Sequence, residues 1–307
     1  MIVRKYHPRD FKDLADSGYV FGLQSFESGE IRDLKIKALK ALGGIMEEHL
    51  VALPIDQKKA VGFVTLRKIT DTLFGVWNIF VHPDFRRRGI SSLLYRSSFE
   101  YLAEKGIRKA VGSVAVNNVA SVKGLKKTWD GFLSQHFYYI PNAGIELTGL
   151  PHYQSELSKV SFSHLRKRMR DVLFATYKNC VNEDWYTFLE IDRDNLLERF
   201  IDYPRYSKGF LSMMFDKYVL FDESKCEGYV AIIGSKIVGS AELHLFIPRG
   251  LPNNTVKSLL AKANQELRLR QKKGPVFCLT GDELQFQRLL SDLKLKAIPH
   301  IVSIKYL

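Results

Sequence analysis

A strand, a helix and a second strand follow one another at residues 73–116, and this succession constrains the fold more than any other feature of the sequence. The segment LFGVWNIFV is apolar and strand-like, GISSLLYRSSFEYLAEKGI has helical period, and KAVGSVAV is again strand-like. A helical crossover of this kind joins two parallel strands of one sheet. The preceding segments MEEHLVAL and AVGFVTLRK, joined by the charged turn PIDQKK, predict an antiparallel hairpin. We therefore predict an α/β fold with a mixed, mostly antiparallel sheet flanked by helices.

The second half of the chain repeats this order of elements. Two strands in GYVAIIGSKIVGSAELHLFI are followed by a helix in TVKSLLAKANQELRLRQKKG, a strand in VFCLTG, a helix in DELQFQRLLSDLK and a strand in HIVSIKYL. A chain of 307 residues is long enough for two domains, each with its own core. We predict two tandem domains, residues 1–150 and 151–307, the first opening with a strand and two helices before residue 45.

Charge, hydropathy and cysteine content limit the kinds of ligand and compartment to be expected. The net charge is +13, with lysine and arginine spread over both halves, so an anionic ligand has to be considered. No apolar run reaches the roughly 18 residues that cross a bilayer, and no signal-peptide stretch is seen, so a cytoplasmic protein without a membrane partner is expected. The cysteines, Cys180, Cys226 and Cys278, are odd in number and lack CxxC spacing, which predicts reduced thiols and no metal site.

The junction between the first strand and the helix, VHPDFRRRGISSLLYR, has the features of an anion site. Amides in the first turn of a helix have no intrahelical partner, and the helix dipole adds positive charge there. Gly89 permits close approach of a ligand, Ser91 and Ser92 are small, and arginines match phosphate geometry. A diphosphate is the expected ligand. The alternative is that the arginines form a solvated turn and Gly89 only bends the chain.

Two motifs carry a resemblance to a known family. The segment IFVHPDFRRRGISSLL resembles the acetyl-CoA-binding motif of the GCN5-related N-acetyltransferases, V-x-P-x-x-R-x-x-G-x-G/A. Arg86 and Gly89 occupy its arginine and first glycine positions, and Ser91 replaces the usual final Gly or Ala. The segment VAVNNVASVKGLKKTWDGF resembles the second motif of that family, an Asn-led helix ending in Gly-Phe. With the order of elements up to about residue 140, the resemblance extends over nearly half the chain.

The resemblance implies that acetyl-CoA is the co-substrate and that its acetyl group passes directly to an amine. It places backbone amides of residues 87–92 on the pyrophosphate, the main chain at residues 80 and 81 beside the pantetheine and thioester, and an asparagine against the CoA arm. A main-chain amide near residue 81 would polarise the thioester carbonyl. The implied cofactor-binding residues are Phe80, Val81, Arg86, Arg87, Arg88, Gly89, Ile90, Ser91, Ser92, Asn117 and Asn118.

The base that would take the proton from an ammonium acceptor is less well marked. Some members of the family carry a catalytic glutamate within the strand that corresponds to VWNIFV, where this chain has no carboxylate. Glu47, Glu48 and His49 on an earlier strand are the nearest candidates, and Glu47 and His49 share one face. Solvated charges on an edge strand are the alternative interpretation.

The acid that would protonate the departing thiolate is also unclear. Many members of the family use a tyrosine of the Asn-led helix, but that position falls here at Leu125 or Gly124, and neither can donate a proton. Tyr138 or Tyr139 could substitute, and packing aromatics of a strand are the alternative. The catalytic candidates are therefore Glu47, His49 and Tyr138.

The second domain lacks the phosphate motif. Its corresponding stretch, FIPRGLPNNTVKSLL, retains a strand, a proline and a helix start, which predicts a degenerate acetyltransferase-like domain. The acceptor amine can be a small molecule or a protein, and a homodimer stays open. Two other functions compete: a CoA-binding sensor or interaction module without turnover, and a basic nucleic-acid-binding protein, whose affinity would fall steeply with salt.

Overall fold

The chain forms two compact units that interleave along the sequence. The computed structural model describes residues 1–7, 10, 47–55, 59–140, 157–198, 215–235, 241–269, 276–280 and 283–307. Unit 1 comprises Met1–Val114, Val119–Phe132 and Ser303–Leu307, and unit 2 comprises Ala115–Asn118 and Leu133–Val302. These units differ from the predicted ranges 1–150 and 151–307. The helices predicted before residue 45 lie outside the described residues.

Unit 1 is a mixed sheet with a long helix on one face. Strands β1 to β4 form an antiparallel ladder in chain order, and β4 then pairs in parallel with β5. The C-terminal end of β13 returns to this unit and pairs antiparallel with β6. The elements are β1 (Ile2–Lys5), β2 (Glu47–Leu53), β3 (Gly62–Lys68), β4 (Leu73–Val81), α1 (Ile90–Glu104), β5 (Lys109–Ala115), α2 (Val119–Thr128), β6 (Gly131–Phe132) and β13 (Ile298–Tyr306).

The packing of unit 1 follows from the period of each element. Helix α1 buries one stripe that includes Ile90, Leu94 and Leu102, because residues four apart along a helix share a face. This stripe packs with alternate strand residues such as Leu50 and Val64 in one core cluster. The intervening strand residues, including Val51 and Phe63, point to the opposite face and form a second cluster. The predicted crossover and hairpin are both confirmed.

Unit 2 repeats the pattern of unit 1. Strands β8 to β11 are antiparallel in chain order, β11 pairs in parallel with β12, and β7 lies antiparallel to both β12 and β13. Helix α5 is the crossover between β11 and β12 and packs in the core of this unit. The elements are β7 (Phe137–Ile140), β8 (Ser158–Ser161), α3 (Lys167–Cys180), α4 (Glu183–Phe188), β9 (Phe215–Phe221), β10 (Tyr229–Ser235), β11 (Ala241–Ile247), α5 (Asn253–Leu269), β12 (Val276–Thr280) and α6 (Glu283–Asp292).

Three further expectations concern cysteines, metals and membranes. Cys180 and Cys226 are free, buried thiols, as predicted. Within the described ranges, no cluster of three or more histidine, cysteine or acidic side chains is arranged to hold a metal ion. A search of the same ranges finds no helix that combines the length and the apolar character needed to cross a membrane.

Candidate functional site

A tight turn connects β4 to α1. The turn begins where the amide of His82 donates to the carbonyl of Val61 at 2.8 Å, which anchors the end of β4 to the neighbouring strand. A single 3₁₀ turn, Pro83–Phe85, follows, and it is closed by the bond from the Arg86 amide to the Pro83 carbonyl at 3.2 Å. Proline suits the first position of this turn because its φ is preset and it has no amide to satisfy.

Two residues of the loop between the 3₁₀ turn and α1 adopt left-handed conformations. Arg87 has φ 65° and Gly89 has φ 77°. A Cβ atom added at Gly89 would have no neighbour within 4 Å, so glycine is needed there for its backbone conformation and not for space. Arg87 holds a positive φ without being glycine, which costs roughly 1 kcal/mol and is typical of functional loops.

Six consecutive amides, at residues 87–92, donate to no hydrogen-bond acceptor in the part of the chain that the structure describes. The first amide of the helix with a backbone partner is that of Leu93, which donates to the Gly89 carbonyl at 3.0 Å. Gly89 is the N-cap of α1, and no described side chain caps this end of the helix. Free amides at a helix start, next to left-handed backbone, form a concave site for an anion.

The three arginines of the loop have different surroundings, although all are exposed. The Nε of Arg86 donates to the Val81 carbonyl at 3.2 Å, so this side chain ties the loop to the end of β4. The Arg88 guanidinium lies 5.2 Å from the centre of the Phe85 ring. The three arginines belong to the same short loop as the amides at residues 87–92, so positive side chains and backbone donors are close together along the chain.

Strand β4 leaves one edge open next to this loop. Its parallel ladder with β5 runs only from Leu73 opposite Lys109 to Gly75 opposite Val111, although β4 continues to Val81. The register with β3 also shifts where Asn78 adopts φ 51°, which marks a β-bulge. The main chain at residues 76–81 therefore lies beyond the ladder with β5, and Phe80 and Val81 belong to this stretch.

The candidates on β2 divide between the two faces of the sheet. The Glu48 carboxylate accepts hydrogen bonds from Tyr101 and Lys105 of the α1 region. Burial disfavours the ionised carboxyl, but these two bonds outweigh it and hold the pKa of Glu48 below its ordinary value. His49 lies on the other face, with its ring 5.1 Å from that of Phe63 and 5.8 Å from that of Tyr6. Glu47 is described only by its strand position, opposite Arg67.

Three other predicted site residues are assigned to unit 2. Asn117 and Asn118 are exposed in the turn before α2 and belong to unit 2. Tyr138 also belongs to unit 2, where its buried ring contacts Phe286 at 4.8 Å and its hydroxyl accepts from Gln287 at 3.5 Å. Leu125, the position of the absent tyrosine, is buried in the core beside α1.

Sequence reasoning missed the bulge in β4 and the row of polar residues beside it. His49 lies opposite Thr65, and Thr65 lies opposite Trp77, so one cross-strand row joins β2, β3 and β4. The signal for the bulge was Asn78 in an otherwise apolar strand, because asparagine is rare in strands and tolerates a positive φ. The row could not be predicted from the sequence, because the bulge decides which residues of β3 and β4 lie opposite one another.

Comparison with known proteins agrees with this geometry. Residues 23–127 match the model of the acetyltransferase (GNAT) family. Mycothiol acetyltransferases from Mycobacterium sp. strains JLS and MCS are 34% identical over 93 residues, which cover 26% of this chain and 30% of each relative. The match thus spans less than a third of the length of these curated relatives.

Two solved structures have the same architecture over almost the whole chain. A tandem GNAT protein from the clavulanic acid biosynthesis pathway has a TM-score of 0.57 at 12% identity, covering 99% of this chain and 98% of that chain. A GCN5-related N-acetyltransferase from Sphaerobacter thermophilus has a TM-score of 0.56 at 12% identity, covering 99% and 95%. At these identities the likeness shows the fold, and it confirms the predicted tandem acetyltransferase-like architecture.

Proposed function

We propose that unit 1 binds acetyl-CoA and transfers its acetyl group to an amine, because residues 23–127 match the model of the acetyltransferase (GNAT) family. Acetyl-CoA is the acetyl donor of this family. The observation that carries the proposal is the run of free amides at residues 87–92, next to a strand edge that β5 leaves open. The acceptor is an amine of a small molecule or of a protein.

The open turn supplies the contacts that a CoA diphosphate needs. Two phosphate groups have enough oxygen atoms to accept from several of the six amides, and the dipole of α1 favours their charge. Arg87 and Arg88 add positive charge at the rim, while Arg86 fixes the loop against Val81. The parallel ladder between β4 and β5 ends at Gly75, so the pantetheine amides can bind along the main chain at residues 80 and 81 as an added strand would.

In the proposed transfer, the acetyl carbon forms a bond to the acceptor nitrogen and loses its bond to the CoA sulfur. The nitrogen of a neutral amine attacks the thioester carbonyl, forming the C–N bond as the C–S bond breaks, and CoA leaves as a thiolate that takes up a proton. A main-chain amide of the open β4 edge stabilises the charge on the carbonyl oxygen. A base takes one proton from the bound ammonium ion before the attack, and the second proton, which the nitrogen loses on acylation, neutralises the thiolate. Of the β2 candidates we assign this role to His49, because the Glu48 carboxylate is already engaged by Lys105 and Tyr101.

His49 acts through water in this assignment. It lies on β2, two strands from β4, and strands are about 4.8 Å apart, so roughly 10 Å separates the two strands. Thr65 lies between them in the same row.

We expect His49→Gln to lower kcat about 100-fold at pH 7, with KM for acetyl-CoA unchanged. The loss shrinks as the pH rises through the pKa of the acceptor amine, because the amine then loses its proton to solvent before it binds. Steady-state kinetics from pH 6 to pH 10 measures this. Glu48→Gln is the matched control, since it changes the adjacent residue on the opposite face. A loss in His49→Gln that is equal at every pH would exclude His49 as the base.

The described strands of unit 2 do not have the features that open the proposed donor site in unit 1. Its ladder between β10 and β11 runs without a register shift from Tyr229 opposite Phe246 to Gly234 opposite Ala241. The parallel ladder between β11 and β12 continues to the last residue of both strands, Ile247 opposite Thr280. Strands paired to their ends leave no edge for pantetheine. We therefore assign a single donor site to the chain, and a degenerate role to unit 2.

One molecule of acetyl-CoA per chain is the expected result of isothermal titration calorimetry, with CoA thiol released only when an amine is added. Two molecules per chain would show that unit 2 also binds the donor. Binding without thiol release across amino acids, amino sugars, polyamines and peptides would favour the sensor module over the enzyme. Absence of binding would refute the proposed function.

A further inference from the structure

The sheet of unit 2 carries a layer of aromatic side chains on the face away from α5. Tyr229 of β10 lies opposite Phe246 of β11, so both side chains point to the same side of the sheet. The adjacent strand residues Val230 and Leu245 point to the other side, into the core that contains α5. The ring of Tyr177, from α3, lies 5.6 Å from the Phe246 ring. Helix α3 therefore packs on the face of the sheet opposite α5.

Three polar atoms are buried in this layer. They are the hydroxyl oxygens of Tyr177 and Tyr229 and the indole Nε1 of Trp185, which belongs to α4. All three residues are 0% exposed, and none of the three atoms has a hydrogen-bond partner among the described residues. A polar group that is removed from water without a partner loses its hydration with no compensation. Folded proteins seldom leave such groups unpaired, so three of them in one layer require an explanation.

The same three groups influence one another. Burial raises the pKa of both hydroxyls well above the ordinary value of a tyrosine, and the neighbouring Cys180 raises each pKa further. Tyr177 adds to the rise of the pKa at Tyr229, whereas the Trp185 N–H partly offsets the rise at Tyr177. Such influences weaken with distance, so the two hydroxyls and the indole nitrogen lie in one region of the interior. Both hydroxyls keep their protons at neutral pH.

The chemistry of the three groups determines what can pair with them. An indole N–H only donates a hydrogen bond, whereas a phenol hydroxyl both donates and accepts. A common partner must therefore accept from Trp185 and at the same time donate to at least one hydroxyl. The two phenols and the indole are uncharged at neutral pH, so the partner is also uncharged. Water meets these requirements, and a buried water in a protein typically makes about three hydrogen bonds.

We propose that unit 2 binds one water molecule between Tyr177, Tyr229 and Trp185. The water accepts hydrogen bonds from the indole N–H and from one hydroxyl, and it donates to the other hydroxyl. Because the three residues belong to α3, β10 and α4, this water joins both helices to the sheet. The site lies wholly within unit 2 and does not depend on acetyl-CoA, so it is tested separately from the proposed function.

A double-mutant cycle tests whether the two hydroxyls share a partner. Tyr177→Phe and Tyr229→Phe should each lower Tm by about 3 °C, because each removes a hydrogen bond to the water. The double variant should lose only about 4 °C, since the first substitution has already weakened binding of the water that the second hydroxyl uses. Tyr138→Phe is the matched control, because Tyr138 is buried in the core on the α5 side. Its effect should add to that of Tyr177→Phe.

Nuclear magnetic resonance observes the water itself. With the indole nitrogens labelled with ¹⁵N, the Trp185 resonance is assigned from its loss in Trp185→Phe. We expect a rotating-frame Overhauser cross-peak between the Trp185 indole proton and water, with the sign of a bound molecule and not that of proton exchange with solvent. The cross-peak should weaken or vanish in Tyr229→Phe. Trp77 and Trp129 belong to unit 1, so their resonances should not respond to this substitution.

Three results would overturn the inference. If the single tyrosine variants melt at the same or a higher temperature than the unchanged protein, the hydroxyls have no partner to lose. Additive losses in the double variant would mean that the hydroxyls do not share a molecule. A shared loss without a water cross-peak would show that the side chains bond to one another directly. Lower Tm, non-additive losses and the Trp185 cross-peak together would support the buried water.

Discussion

Gly89→Asp should weaken acetyl-CoA binding about 100-fold while the protein remains folded. The substitution puts a carboxylate among the six free amides at residues 87–92, where it competes for the donors that the diphosphate needs and repels its charge. Losing two charge-assisted hydrogen bonds costs about 3 kcal/mol, which corresponds to roughly a hundredfold change in affinity. Aspartate tolerates a positive φ better than most residues, so the strain at φ 77° is on the order of 1 kcal/mol. Calorimetric titration with acetyl-CoA measures the loss.

The same helix provides a matched control at its other end. Gly106 has φ 75°, and a Cβ atom there also meets nothing within 4 Å, so Gly106→Asp introduces the same strain and charge. It follows the C-terminus of α1, the negative end of the helix dipole, where the carbonyls of Leu102 and Ala103 accept hydrogen bonds from the following backbone amides. We expect it to bind acetyl-CoA like the unchanged protein and to lose slightly more stability, because a negative charge is unfavourable there. Equal loss of affinity in both variants would show that strain, and not the anion site, explains the effect.

The backbone of the proposed donor site could be predicted from local sequence because its parts are local. The apolar strand, the proline turn, Gly89 and the helix start are contiguous, and each has a residue type that determines its backbone. Free amides at a helix start depend on no distant contact, so the anion site could be deduced from one short stretch. The crossover that follows it implied the parallel pairing of β4 with β5, which the structure confirms.

The neighbours of the residues on β2 and β4 were harder to predict because they depend on strand register. The bulge at Asn78 decides which residue of β4 lies opposite Thr65, and a shift by one residue turns every side chain to the other face. Strand alternation correctly placed Glu48 and His49 on opposite faces of the sheet. It could not show that Tyr101 and Lys105, more than fifty residues away, donate hydrogen bonds to the Glu48 carboxylate. Contacts of this kind require the three-dimensional packing.

Domain boundaries were the least predictable feature, for a related reason. A boundary drawn at residue 150 assumes that each domain is one continuous segment. Strand pairing instead assigns residues 133–140 to unit 2 and returns Ser303–Leu307 to unit 1. Nothing in the local pattern of HIVSIKYL indicates which sheet its last residues join, because the choice is made by distant partners.

Ending the chain at Val302 should destabilise unit 1, although the deleted residues lie almost two hundred positions from its helix α1. The deletion removes the bond from the Asp130 amide to the Ile304 carbonyl, two bonds from Tyr306 and Leu307, and the bond from the buried Ser303 hydroxyl to the Gly112 carbonyl. At about 1 kcal/mol each, these four bonds contribute about 4 kcal/mol, which lowers Tm by about 10 °C. Because Gly112 lies on β5, we also expect weaker acetyl-CoA binding. Thermal unfolding followed by circular dichroism, with and without acetyl-CoA, measures both effects.

A point substitution on the same strand separates the contribution of the backbone hydrogen bonds to stability from that of the surface ion pair. Lys305→Ala removes the ion pair with the Asp130 carboxylate but leaves the strand in place. Exposed ion pairs contribute less than about 1 kcal/mol, so Tm should fall by no more than about 3 °C. If the truncated chain melted like Lys305→Ala and bound acetyl-CoA normally, residues 303–307 would not be part of the folding unit that holds the donor site. A large loss in the truncated chain alone would mean that residues 303–307 are part of the folding unit that contains α1 and the turn before it.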